Sequence, residues 1–419
     1  MISIELIRRN PVLVREAMSK RGENIDVNRI LELDLQRRST IAEADKLKAH
    51  RNEVSKQLGN MEERPPESIR KMKDTGLQIK VLGKKLKHVE EEISSLLLTV
   101  PNIPMDDVPL GKDESDNVVK HIVGELPSFS FEPLPHWELG EKLDIIDFQG
   151  GAKLSGSRFF TLKGNGSKLQ RSLISWMLDI HTQEHGYQEM YLPYLVNPKS
   201  ATSSGHLPKF ADTMYHDTED DLWMIPTSEV PLTNLYRGDI LPPGTLPLRY
   251  VSHSPCFRRE KAAAGRDTRG IKRVHQFEKV EMYKFVEPKD SESELESLLS
   301  DAEEICIRLG IPHRVVQLCT GELGFASSKS YDVEMWAPGS SEWLEVSSCS
   351  NCTDFQARRA AIKWRPEANA RPQFVHTLNG SGLGIPRVII AILENFQQAD
   401  GSISIPEVLQ PYTGFDKIG

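Results

Sequence analysis

Between Val27 and Leu98 apolar residues return every three or four positions, with no strand-like alternation. The first half carries Ile41, Ala44, Leu47, Val54 and Leu58; the second carries Ile69, Met72, Ile79, Leu86, Ile93 and Leu97. That spacing is one face of a helix. Arg64-Pro65-Pro66-Glu67-Ser68 interrupts it, because proline removes a backbone donor and crowds the preceding turn. The pattern predicts two antiparallel helices of ~33 residues, each ~50 Å long at 1.5 Å per residue. Gly76 and Gly83 soften the second seam. Outside the seam run Lys71, Lys73, Lys80, Lys84, Lys85 and Lys87, with Asp74 the only acid between Glu67 and Glu90. Such a stripe is an ordinary solvated face or, on a projecting arm, a track for phosphates. A dimerising coiled coil is the other reading of the same periodicity.

The stretch from Pro101-Asn102-Ile103-Pro104 to about Pro135 reads as a linker. It divides an N-terminal arm (1–104) and a linker (105–135) from a second domain (136–419). In that domain strand-like runs (Leu248 to Ser252, Gln276 to Phe285, Trp343 to Val346) interleave with helical ones (Leu169 to His185, Ser291 to Leu309). Strands without regular crossover helices predict an α+β domain, an antiparallel sheet flanked by helices.

Composition adds limits. The 419 residues, 38% hydrophobic and 27% charged, suit a soluble globular chain of two domains. No apolar run approaches the ~20 residues that span a bilayer. The start lacks a secretory apolar core, and Glu5, Glu16 and Glu23 oppose an organelle-targeting helix. Five cysteines, thinly spread, fit a reducing cytoplasm. The net charge of −8 divides unevenly: residues 1–98 hold 20 Lys/Arg against 16 Asp/Glu, and the remainder 32 against 44. An acidic body with a basic arm can still bind a polyanion, since local patches set the attraction.

Three segments carry candidate chemistry. In Pro226-Thr227-Ser228-Glu229, strand alternation would put Thr227 and Glu229 on one face. From Phe257-Arg258-Arg259-Glu260 to Val274-His275-Gln276-Phe277-Glu278-Lys279-Val280-Glu281, alternation pairs Arg258 with Glu260 and Phe277 with Glu281. A hairpin of these runs would present a guanidinium for phosphate, an aromatic plate for a base, and carboxylates for an amine. Taken singly, Arg258 reads equally as a surface ion pair with Glu260, and Phe277 as a core position. The intervening Gly265-Arg266-Asp267-Thr268-Arg269-Gly270 is too long for a tight turn and suits contact with a nucleic-acid end. Third, Asn379-Gly380-Ser381-Gly382-Leu383-Gly384-Ile385-Pro386-Arg387 reads as a glycine-rich turn into an apolar helix, whose backbone N–H groups and Arg387 would attract an anion. Glu345-Val346-Ser347-Ser348 offers hard oxygens suited to Mg²⁺. Cys349-Ser350-Asn351-Cys352 has metal-ligand spacing, but no second Cys/His pair accompanies it, so no zinc is expected.

The order and wording of these segments closely resemble seryl-tRNA synthetases of the bacterial type, class II aminoacyl-tRNA synthetases, over essentially the whole chain. Most specific are Thr227-Ser228-Glu229, the run from Phe257 to Glu281, Ser347-Ser348-Cys349-Ser350-Asn351-Cys352, and Asn379-Gly380-Ser381-Gly382-Leu383. The resemblance implies an enzyme, a serine–tRNA ligase, homodimeric through the segment ending at Pro193. It implies catalytic roles for Arg258, Glu260 and Arg387. ATP contacts would come from Arg258, Arg259, Glu260, Val274, Phe277, Glu345, Val346, Ser347, Ser348 and Arg387, with Mg²⁺ at Glu345 and Ser348. Serine contacts would come from Thr227, Ser228, Glu229, Glu281, Asn379 and Ser381. Tracking tRNA(Ser), and tRNA(Sec) where present, would fall to Lys71, Lys73, Lys80, Lys84, Lys85, Lys87, Arg266 and Arg269. The chain departs from the family at Pro386, where glycine is usual, and at Ser228, where alanine is common. The competing readings are a threonine or proline specificity and a catalytically inactive, synthetase-like RNA-binding protein.

Overall fold

The computed structural model describes residues 1–61, 65–261 and 269–419. Its chain contacts divide into two compact units, one of residues 2–19 and 23–100, the other of residues 1, 20–22 and 101–419.

In the first unit the helices Val27–Gly59 and Pro66–Leu97 pack as a hairpin. Asp26 caps the first by accepting from the Arg29 backbone N–H, and Pro66 begins the second, where a missing donor costs nothing. Val27, Ile30 and Leu33 are buried at one end, as are Val89, Ile93 and Leu97 of the partner helix, and Arg29 pairs with Glu92 at 2.6 Å. Farther along the seam Leu47, Val54, Met72 and Ile79 are only half-buried, and Ile69 is exposed. The six lysines of the stripe are all exposed.

The second unit is built on an eight-stranded sheet. Its order is Val118–Val123, His313–Gln317, Lys329–Ala337, Glu342–Asn351, His376–Gly384, Gln276–Val286, Leu248–Phe257 and Gln188–Glu189. Every neighbouring pair is antiparallel except the last, which is parallel. Helices Gly164–Gln183, Ser291–Leu309 and Ile385–Asn395 share one apolar core with the sheet, Leu173, Leu298 and Ile392 lying among Val280, Met282 and Val333. Two expectations are corrected here. The segment read as a linker contributes the edge strand Val118–Val123. The supposed glycine-rich turn is the strand His376–Gly384, inside the sheet between Glu342–Asn351 and Gln276–Val286.

Alternation along the central strands separates the core from a cavity. Val280 and Met282 enter the helical core, while Phe277, Lys279 and Glu281 line the cavity. On the neighbouring strand Asn379 and Ser381 share that side. Gly380 and Gly382 point the other way, because a side chain there has no room: a Cβ would stand 2.9 Å from Cys349 Sγ at Gly380 and 2.6 Å from His181 Nε2 at Gly382.

Candidate active site

The cavity measures about 570 Å³. The Leu248–Phe257 and Gln276–Val286 strands pair as the sequence suggests, Phe257 opposite Gln276 and Ser252 opposite Glu281. Arg258 and Glu260 lie just beyond the first strand, so alternation no longer governs them. Glu260 has φ +47°, which bends the chain. Thr227 and Glu229 are not on a strand either: Glu229 opens the short helix Glu229–Thr233. All four nevertheless line the cavity.

One cluster of lining residues is cationic and aromatic. The Arg258 guanidinium sits 5.0 Å above the Phe277 ring, and its Nε donates to the Pro226 carbonyl at 3.3 Å. Arg258 is therefore not the surface partner of Glu260, which stands 3.9 Å from Arg273. Arg387 lies at the start of the Ile385–Asn395 helix, one residue after Pro386. Its Nη1 donates to the Glu345 carbonyl at 2.6 Å and is 3.3 Å from the Glu345 carboxylate. Two guanidiniums and a flat ring thus face one space, with Val274 and Val346 in its wall. This suits a nucleotide polyphosphate.

A second cluster lining the same cavity is acidic and buried. Burial first, and then repulsion from Glu281, pushes the Glu229 carboxyl up to about 7. Gln356 donates to Glu229 at 2.5 Å. Lys279 is ion-paired with Glu281 and donates to Thr227 Oγ1 at 2.7 Å. Asn379 and Ser381 also line the cavity, Ser381 being held by Ser347, whose hydroxyl donates to its carbonyl at 2.6 Å. Carboxylates, hydroxyls and an amide in so small a space suit a small polar ligand bearing an ammonium.

Three expected contacts lie outside the cavity wall. The Ser228 hydroxyl is turned to Ser254 at 2.6 Å. Arg259 lies over the Tyr215 ring at 4.6 Å and donates to the Met214 carbonyl. Ser347 reaches the wall through Ser381. Of the basic loop, Gly265, Arg266, Asp267 and Thr268 fall outside the described residues, while Arg269 borders a separate groove with Trp137 and Phe159. Sequence reasoning missed Lys279 and Gln356. Lys279 was legible, since it lies between Phe277 and Glu281 on one strand face. Gln356, at the start of the Phe355–Ala360 helix, carried no local signal.

Glu345 and Ser348 both line the cavity. Among the described residues no group of three or more His, Cys, Asp or Glu side chains is arranged to hold a metal. Two hard oxygens in a cavity that also holds two guanidiniums fit Mg²⁺, which usually takes few protein ligands and fills its shell with phosphate and water. Asp332 sits across the strand from Ser348, and burial, then repulsion from Glu345, raises its carboxyl well above the usual range. Cys349 and Cys352 are buried, and burial pushes both thiols up, Cys349 to about 12.

Residues 1–104 match the seryl-tRNA synthetase N-terminal domain, and residues 210–396 the class II tRNA synthetase core domain of the G, H, P, S and T enzymes. The serine–tRNA ligase of Thermomicrobium roseum is 56% identical over 416 residues, covering 99% of this chain and 94% of the relative. The chain belongs to the seryl-tRNA synthetase family. The serine–tRNA ligase of Dehalococcoides mccartyi is 54% identical, with full coverage of both chains. Among solved structures, the Pyrococcus horikoshii seryl-tRNA synthetase complexed with ATP superposes with a TM-score of 0.95 at 38% identity, covering 100% of this chain and 99% of that one. The cytoplasmic enzyme of Naegleria fowleri, in complex with AMP, gives 0.89 at 31% identity, covering 100% and 98%. Among the described residues no helix is long and apolar enough to cross a membrane.

Proposed function

We propose that this protein attaches L-serine to tRNA(Ser), and to tRNA(Sec) where present, through a seryl-adenylate. The observation that carries the reading is a single cavity lined by both a guanidinium pair and a carboxylate pair. It accommodates a nucleotide and a small amino acid in contact.

In the first step a carboxylate oxygen of serine attacks the α-phosphorus of ATP, the bond to the β-phosphate oxygen breaks, and pyrophosphate leaves. In the second, a terminal ribose hydroxyl of the tRNA attacks the seryl carbonyl and AMP leaves. No protein nucleophile is required. Arg258 and Arg387 hold the phosphates and offset charge on the departing pyrophosphate, so catalysis is positioning and electrostatics. Phe277 and Val274 hold the adenine, and Glu260 orients the nucleotide. Glu345 and Ser348 would hold Mg²⁺, which when bound neutralises phosphate charge. Thr227, Glu229, Glu281, Asn379 and Ser381 take the ammonium and hydroxyl of serine. Buried groups that require a hydroxyl reject alanine strongly, while threonine is excluded by space.

The lysine stripe of the hairpin supplies a phosphate track for the tRNA, and the catalytic unit forms a homodimer in the cytoplasm. A catalytically inactive, RNA-binding protein would have no use for Arg258, Glu281 and Arg387 converging on one cavity. The test is charging of purified tRNA: serine is transferred to tRNA(Ser), and threonine and proline are not transferred to their own tRNAs. Charging with threonine or proline in place of serine would overturn the assignment.

A further inference from the structure

Lys279 lines the cavity among its acidic residues. Its side chain is 9% exposed, and its ammonium donates to Thr227 Oγ1 at 2.7 Å and is ion-paired with Glu281. Thr227 and Glu281 are two of the groups that the serine reading assigns to the substrate. The protein's own ammonium therefore already holds a place suited to a ligand ammonium.

We infer that Lys279 is a specificity-determining residue that makes the pocket select a zwitterion: its ammonium competes with the ligand's for Thr227 and Glu281, and turns onto the ligand's carboxylate. This rests on the serine reading. Three observations support it. The residue follows Phe277 and precedes Glu281 on one strand face, so its flexible four-carbon stem already points along the cavity. Glu229 and Glu281 repel one another, and Lys279 opposes that repulsion. The side chain is almost wholly buried, so an ammonium stripped of its anion there would be left uncompensated.

The charge balance then decides which ligands enter. A ligand with both an ammonium and a carboxylate exchanges one ion pair for two, and no buried charge is orphaned. An amine without a carboxylate takes Glu281 and leaves the Lys279 ammonium facing Glu229, whose carboxyl is pushed up to about 7 and is a poorer anion. An acid without an amine draws Lys279 away and leaves Glu281 bare. Both half-ligands are disfavoured, although each presents half of the correct groups.

The test is calorimetric binding of serine and of ethanolamine, which has the ammonium and hydroxyl but no carboxylate, to the full-length protein and its Lys279→Met and Lys279→Arg variants. With Lys279→Met, serine affinity should fall about 100-fold, as expected when one member of a buried pair is removed, while ethanolamine affinity rises. Lys279→Arg should keep the preference for serine over ethanolamine within a few-fold of the unaltered chain. Equal weakening of both ligands by Lys279→Met, or unchanged serine affinity, would overturn the inference. So would loss of the preference in Lys279→Arg, which keeps the test decisive if the methionine variant does not fold. Absence of serine binding by the unaltered protein would instead overturn the serine reading, so the two failures are distinguishable.

Discussion

The Arg258 guanidinium rests 5.0 Å from the centre of the Phe277 ring, Arg258 following directly on the strand Leu248–Phe257, whose Cys256 pairs with Phe277. The contact fixes the cation over an aromatic face without enclosing it, since Arg258 itself remains exposed. A guanidinium held this way loses little freedom when it grips a phosphate.

Replacing Arg258 with alanine should therefore leave the fold intact and remove activity. Serine-dependent ATP–pyrophosphate exchange is expected to drop by at least about 10²-fold, the usual loss when one preorganised donor to developing charge is deleted. Circular dichroism and the melting temperature should stay close to those of the unaltered protein. A folded Arg258→Ala variant with full exchange would remove Arg258 from the mechanism.

Glu229 predicts a pH dependence. Its folded pKa of about 7 lies above the usual 4.5, so the folded chain holds a proton that the unfolded chain releases across that interval. The stability it contributes is complete below pH 4.5 and is lost as pH rises through 7. Glu229→Gln should abolish this loss. In thermal melts without ligands, its melting temperature relative to the unaltered protein should climb between pH 4.5 and 7.5. A flat or falling difference would contradict the buried, repelled carboxylate.

How much of the site was legible in the sequence depends on what each residue answers to. Phe277 and Glu281 were placed together by strand alternation, because a long paired strand obeys its period. Thr227 and Glu229 were brought to the cavity by the bend that leads into a short helix, which so few residues cannot announce. Asn379 to Gly384 looked like a turn because glycine usually serves backbone freedom. Here Gly380 and Gly382 serve packing, leaving room for Cys349 and His181 behind a central strand. That reason is invisible until the neighbours are known. Gln356 reaches Glu229 from 127 positions away, so only the folded chain reveals the contact.

Gly382→Ala tests the packing argument. The added Cβ would lie 2.6 Å from His181 Nε2 and 3.2 Å from Val280 Cγ1. Overpacking of this kind costs about 1–3 kcal/mol. Denaturant unfolding should show that loss, and the Gly382→Ala, His181→Ala pair should be less destabilised than the sum of the single changes. Additive losses would mean that the imidazole is not the obstacle.

The arm has its own test. Changing Lys71, Lys73, Lys80, Lys84, Lys85 and Lys87 together to glutamine should leave pyrophosphate exchange unchanged and weaken tRNA binding. The slope of log affinity against log salt should also become shallower, by roughly 0.7–0.9 for each phosphate that the arm no longer neutralises. Unaltered tRNA affinity and slope would make the stripe an ordinary solvated surface.

The most direct measurement is ATP–pyrophosphate exchange with each of the twenty amino acids in turn. Serine alone should support rapid exchange, with alanine, lacking the hydroxyl, at background. Exchange driven better by another amino acid, or by none, would contradict a pocket built to join this nucleotide to serine.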